Sequence, residues 1–175
     1  MVVICTSTTV PINTCNDVAS DVLTPAEFWE VLEHKCRNPA TFVKSITSSR
    51  VVQEDHDKTG QVTSLTRLVT VNGGEHEIEE IAILKKPVMI EFRIPSTGTS
   101  IKNILSRGAE QMHHPTDIYM VSTYEWHHPE VEEGSEEHKK LTEYYWHMSN
   151  ETVKHTVAVA KKMKAEGKLA DLMKE

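Results

Sequence analysis

The feature that most constrains the fold is the stretch from Ser45 to Trp126. Short β-rich runs follow one another there, with turn signals between them and no helical pattern. The runs lie near 45–54, 62–71, 76–84, 88–94, 100–106 and 117–126. Asp57-Lys58-Thr59-Gly60, Asn72-Gly73-Gly74, Lys85-Lys86-Pro87 and Ser96-Thr97-Gly98-Thr99 punctuate them. Turns at intervals of ~8–12 residues predict an antiparallel meander and argue against a parallel sheet with crossover helices. A β-branched, Thr-rich segment, residues 2–12, adds a strand before it, with Pro11 suited to a strand end or edge.

Two helical regions flank the meander. Thr24-Pro25-Ala26-Glu27 reads as a capping box with proline at the first helical position. Phe28, Val31, Leu32 and Cys36 follow at helical spacing, and Asn38-Pro39 stops the helix. Ala40–Val43 can add one further short turn. A long helix starts near Ser135, with acidic residues at its beginning and Lys161, Lys162 and Lys164 at its end, as the helix dipole favours. Gly167 is its natural stop, which makes it roughly 45–50 Å long. Residues 168–175 are expected to be a flexible tail. The resulting expectation is an α+β fold. A curved antiparallel seven-stranded sheet wraps around a long C-terminal helix, with two short helices after the first strand, and encloses a cavity.

Length and charge narrow the function. The 175 residues suit one domain, 1–175. Apolar residues at 38% and charged residues at 26% are too balanced for a disordered chain. The net charge of −7 argues against a nucleic-acid partner, which needs a basic footprint. No apolar run approaches the ~18–20 residues that span a bilayer, so no membrane partner is expected. The N-terminus does not read as a secretory signal. Cys5, Cys15 and Cys36 form neither a disulfide framework nor a zinc ribbon, so a reduced, cytoplasmic protein is expected.

Strand alternation assigns faces. Val88, Ile90, Phe92 and Ile94 form the apolar face of their strand and should point inward. A two-residue turn at Lys86-Pro87 then turns Ile81, Ile83 and Glu79 inward. A three-residue loop at Asn72–Gly74 sets Arg67 opposite Glu79 on the Leu65, Arg67, Val69, Val71 face. A four-residue connection at Ser96–Thr99 pairs Phe92 with Asn103 and brings Asn103, Ile101 and Leu105 inward. Ile118, Met120, Ser122, Tyr124 and Trp126 share the inward face of the last strand. A hairpin turn at Asp57–Gly60 lands Arg50 beside Arg67, unless Arg50 sits at an open sheet edge. On the long helix Leu141, Tyr145, Met148, Thr152, Val159 and Met163 form a stripe that should roof the cavity, flanked by Tyr144, His155 and Thr156. Trp146, Val153 and Val157 lie off the stripe and suit the first strand or a partner chain, as in a homodimer.

Arg67 and Glu79 are the sharpest chemical feature. They read either as a structural ion pair or as a general acid/base pair whose carboxyl pKa is raised by the cavity. Asn103 can donate to a carbonyl that gains charge, and Tyr124, Tyr145 and His155 are further donors or plain wall. Arg50, Phe92, Leu105, Ser122, Tyr124, Trp126, Tyr145, Met148 and Thr152 complete the expected binding surface. No metal is expected: His113-His114 and His127-His128 diverge, and His34 and Cys36 cannot converge on one helix face. Nucleotide loops and a nucleophile elbow are also absent from the sequence.

The order of elements carries a resemblance. Leu23-Thr24-Pro25, Cys36-Arg37-Asn38-Pro39, Leu65-Thr66-Arg67, Tyr124-Glu125-Trp126 and Glu151-Thr152-Val153 resemble the AtaL-like family, from Val22 to Leu169. That family sits within the helix-grip SRPBCC superfamily, which includes the START and birch-pollen-allergen proteins, and is best known from fungal natural-product gene clusters. The resemblance implies a tailoring enzyme that guides cyclisation, isomerisation or dehydration of a hydrophobic small molecule without a cofactor. The alternative is a non-catalytic carrier that shields a lipophilic compound. Glu79 would act as general acid/base, Arg67 would orient it, and Asn103 and His155 would assist.

Overall fold

A computed structural model describes residues 1–109 and 114–174. The capping box forms as the sequence predicts. Glu27 N–H donates to Thr24 Oγ1 at 3.2 Å, and Thr24 N–H donates to Glu27 Oε2 at 2.8 Å. They start helix α1, Pro25–Arg37, which buries Phe28, Trp29, Val31, Leu32, Lys35 and Cys36. Two 3-10 turns, Ala19–Asp21 and Pro39–Thr41, flank it. Strand β1, Val2–Pro11, precedes them. The meander follows as β2 Ile46–His56, β3 Val62–Val71, β4 Glu77–Lys85, β5 Met89–Ile94, β6 Thr99–Arg107 and β7 Ile118–His128. Helix α2, Glu136–Ala165, and the short α3, Lys168–Leu172, close the chain.

The strands make one antiparallel sheet in the order β1-β7-β6-β5-β4-β3-β2. β1 and β2 are consecutive in sequence yet occupy opposite edges, because α1 and its flanking turns carry the chain across the open side. Lys161 binds Asp17 at 2.6 Å and Lys164 binds Glu27 at 2.9 Å, so the end of α2 is tied to the loop after β1 and to the start of α1. No helix of the described residues is long and apolar enough to cross a membrane.

Register decides which side chains enter the interior, and here several expectations are corrected. β4 pairs with β5 as Leu84↔Ile90 and Ala82↔Phe92, so residues 86–88 form the loop rather than 86–87. β3 pairs with β4 as Arg67↔Glu80, one residue away from the expected partner. Each connection is one residue longer than expected, and a one-residue slip turns a whole strand over. Glu80, Ala82 and Leu84 are buried, while Glu79 is exposed on the outer face. The β5–β6 register differs from expectation by two residues, Ile90↔Asn103 and Phe92↔Ile101, which preserves the faces. β2 carries register shifts that set Val51 opposite Arg67 and Arg50 opposite Leu68. Arg50 is therefore outside, where Nε and Nη2 donate to Glu77 at 3.0 and 2.8 Å.

α2 is rotated by about one residue step from the expected stripe. Its buried face is Ser149, Val153, Thr156, Val157, Ala160 and Met163. Ser149 and Thr156 are admitted because each hydroxyl donates to its own helix backbone, to Trp146 O at 3.0 Å and Thr152 O at 2.9 Å. Small side chains on this face bring α2 close to β1, where Thr8 and Ser149 hydroxyls meet at 3.4 Å. Val153 and Val157 are core residues, and Trp146 is 53% exposed. The segment expected as a flexible tail contains α3, because Gly167 takes φ +75° and turns the chain so that Leu169 enters the core.

Candidate functional site

Between α2, α1 and the concave sheet lies a cavity of about 230 Å³. Its wall is apolar over most of its extent: Val69, Val71, Ile78, Phe92, Ile94 and Ile101 come from the sheet. Tyr124 and Trp126 stack on each other at 4.9 Å between ring centres, and Tyr145 stacks on the far face of Trp126 at 3.9 Å. Met148 and Thr152 cover it from α2, and Val43, Ser45 and Ile46 bound it where the chain enters β2. Val43, Ser45, Met148 and Thr152 also border a smaller cleft of about 180 Å³, so the two hollows adjoin. Larger hollows lie around Trp146, open to solvent and away from the polar groups described next.

On the side of the cavity under α1, polar groups converge. Lys35 is 4% exposed and lines the cavity. Its Nζ donates to Asn103 Oδ1 at 2.8 Å and to Thr156 Oγ1 at 3.3 Å. Asn103 Nδ2 in turn donates to Ser122 Oγ at 3.3 Å. Burial, aided by the neighbouring Arg67 charge, pushes the Lys35 amine down from 10.5 to about 8. Burial pushes the Tyr124 phenol and the Cys36 thiol up to about 12. That thiol is protonated and unreactive at neutral pH.

Arg67 is 2% exposed and fully engaged. Nε donates to Glu80 Oε2 at 2.7 Å, and Nη2 donates to the same oxygen. Nη1 donates to the carbonyls of Lys35 and Cys36 at 2.9 and 2.6 Å. The guanidinium thus closes the C-terminal end of α1, where a cation is favoured, and lies 5.0 Å over the Phe92 ring. Its charge is balanced by Glu80, and its donors hold the turn that carries Lys35.

The structure brings Arg67, Asn103, Phe92, Ser122, Tyr124, Trp126, Met148 and Thr152 into or directly behind this cavity. It does not bring in Glu79 or Arg50, which are on the outer face. Leu105 packs in the core beside the cavity, and Tyr145 backs Trp126 while its hydroxyl meets His128 Nε2 at 2.9 Å. His155 is half-buried in the smaller cleft, with Nε2 3.3 Å from the Thr41 carbonyl oxygen. His113 lies outside the described residues. Among the described residues no three metal-ligating side chains converge on a site for an ion.

Two buried residues escaped the sequence reading, and both had a signal. Lys35 lies seven positions after Phe28, four after Val31 and three after Leu32, so it falls on the apolar stripe of α1. The face Ile78, Glu80, Ala82, Leu84 is more apolar than Glu77, Glu79, Ile81, Ile83, so pattern alone favoured Glu80 over assumed loop lengths.

A sheet that grips a long helix around an apolar chamber defines the class: a protein of the helix-grip fold. Within that class the chain belongs to the AtaL family, whose description is "Acetylaranotin biosynthesis cluster protein L" and whose model matches residues 6–167. A protein of that name from Aspergillus terreus (strain NIH 2624 / FGSC A1156) is 25% identical over 162 residues, 93% of this chain and 90% of the relative. The di-domain ARO/CYC BexL from the BE-7585A biosynthetic pathway is similar in structure with a TM-score of 0.57 at 11% identity, over 91% of this chain and 49% of that one. Ara h 8.0201 gives 0.50 at 10% identity, over 90% and 96%. These structural likenesses speak for the fold.

Proposed function

We propose that this protein is a cofactor-independent tailoring enzyme of secondary-metabolite biosynthesis. It binds a hydrophobic intermediate in the cavity and promotes cyclisation, isomerisation or dehydration by proton transfer. The observation that carries this reading is the placement of Lys35 and Asn103 on the wall of a largely apolar chamber, with Thr156 behind them as a second acceptor for the amine. An amine that titrates near neutrality can both take and return a proton. The biosynthetic setting is supported by the cluster for which the Aspergillus relative is named and by the ARO/CYC protein that shares the fold.

In this scheme Lys35 replaces Glu79 as the proton-transfer group, because Glu79 faces away from the chamber. Asn103 and Thr156 fix the amine, and the Tyr124 phenol, kept protonated, can donate to a substrate oxygen. Arg67 and Glu80 act as positioning residues that hold the end of α1. The free thiols of Cys5, Cys15 and Cys36 support a reducing, cytoplasmic setting. The largely apolar wall also favours a second reading, a carrier that binds and shields the same compound.

Gene replacement in the native host separates the two. Disruption should halt a pathway at an intermediate that lacks the ring, double bond or isomeric form of the product, detected by mass spectrometry of extracts. A Lys35→Met allele should leave that block in place if the protein is an enzyme and relieve it if the protein is a carrier. An unchanged metabolite profile after disruption would contradict both readings.

A further inference from the structure

We propose that Lys35 is an imine-forming amine, whose Nζ condenses with an aldehyde or ketone carbonyl of the compound held in the cavity. This deepens the reading above and rests on the cavity being a site for hydrophobic ligands.

The hydrogen-bond directions argue for it. Thr156 Oγ1 spends its own hydrogen on Thr152 O at 2.9 Å, so toward Lys35 it accepts. Asn103 Nδ2 donates to Ser122, so Oδ1 faces Lys35 as an acceptor. Two acceptors match the two hydrogens of a neutral amine and leave its lone pair free, in a residue that lines the cavity. A protonated amine would carry a third hydrogen that this network does not receive. Among the described residues Lys35 forms no ion pair, and the nearby carboxylate, Glu80, is bound by Arg67 through Oε2. An unpaired buried ammonium is costly, so the site weakens the amine's hold on its proton.

The titration of the amine agrees. With its pKa near 8, about a quarter of Lys35 is neutral at pH 7.5, whereas an ordinary lysine is neutral at roughly one part in a thousand. The chemistry balances with water alone. The lone pair attacks the carbonyl carbon, the C–N bond forms, and a proton moves from nitrogen to the former carbonyl oxygen. The carbinolamine then loses that hydroxyl with the remaining N–H proton as water, leaving C=N. When protonated, this imine withdraws electrons from the adjacent C–H and makes it acidic, which is the activation that a cyclisation, isomerisation or dehydration next to a carbonyl requires. Hydrolysis returns the amine and the rearranged carbonyl compound.

The test uses the wild-type protein, 2-naphthaldehyde as the probe and sodium cyanoborohydride to reduce any imine to a stable secondary amine. The expected result at pH 7.5 is one naphthylmethyl group on Lys35, mapped by peptide mass spectrometry. It should form about 10²-fold faster than on exposed lysines such as Lys58, in proportion to the neutral fraction. An excess of 2-methylnaphthalene, which fills the same space without a carbonyl, should block it. Lys35→Arg, if folded by circular dichroism, should lose it. Binding of 2-methylnaphthalene, followed by its fluorescence, distinguishes two failures. Binding without labelling at Lys35 overturns the imine and leaves the cavity reading standing. Neither binding nor selective labelling overturns both.

Discussion

The two sides of the cavity are built on different terms. The side that faces β2 and α2 is made of Val43, Ile46, Val71, Ile78 and Met148, whose contribution is spread over many methyl groups. The side under α1 concentrates its energetics in Asn103, Lys35, Arg67 and Glu80, each bound to the next in that order. An apolar wall tolerates change, because losing a methylene costs only its transfer and a small void. A buried polar network does not, because removing one member leaves another unpaired. Specific chemistry is therefore expected where single substitutions are most damaging, and ligand size is set where they are mild.

The largest contrast should appear at neighbouring residues. Glu80→Leu leaves the Arg67 guanidinium buried without a counter-charge and should destabilise the fold by about 3–5 kcal/mol in urea denaturation. Glu79→Gln, one position away on the outer face, should leave the denaturation midpoint unchanged. Equal effects would erase the contrast between the faces of β4.

Lys35 should make stability depend on pH in a defined direction. Its folded pKa, about 8, lies below the unfolded value of 10.5, so between these limits the unfolded chain binds more protons and stability rises with pH. Below pH 8 the full penalty of the buried ammonium is present. Cys36 acts the other way above pH 9, because its raised pKa favours the unfolded thiolate as pH climbs. Comparing wild type with Lys35→Met cancels the Cys36 effect. The difference in unfolding free energy should move in favour of the wild type by about 3 kcal/mol from pH 7.5 to 10.5. A constant difference would contradict a depressed amine.

Smaller effects sharpen the same comparison. Thr156→Val removes one of the two acceptors of Lys35 and should cost about 1–3 kcal/mol while lowering the pKa of the amine further. Ile78→Val, on the apolar side, should cost no more than about 1.5 kcal/mol and leave that pKa unchanged.

The fold was legible because its evidence is long-range and redundant: six turn-punctuated runs, a capping box and one thirty-residue helix agree on a single arrangement. The inward faces of β3, β5 and β7 were legible too, since apolar alternation marks them directly. The site was less so, because its membership depends on parity. At the β3–β4 and β4–β5 connections an extra loop residue exchanged Glu79 for Glu80, and the two assumptions agreed only because both were short by one. Lys35 was missed for another reason: a lysine on an apolar stripe reads as a solvated interruption until its partners are known. Asn103 and Thr156, which make its burial tolerable, lie 68 and 121 residues away in the chain.

The claim on which the chemistry depends is that the Lys35 amine loses its proton near neutrality inside the cavity. The direct measurement is a pH titration of its side-chain nitrogen by ¹H–¹⁵N NMR, assigned through Lys35→Arg. The midpoint should fall near pH 8, with that resonance titrating apart from the exposed lysines. A midpoint near the ordinary value of about 10.4 would contradict it.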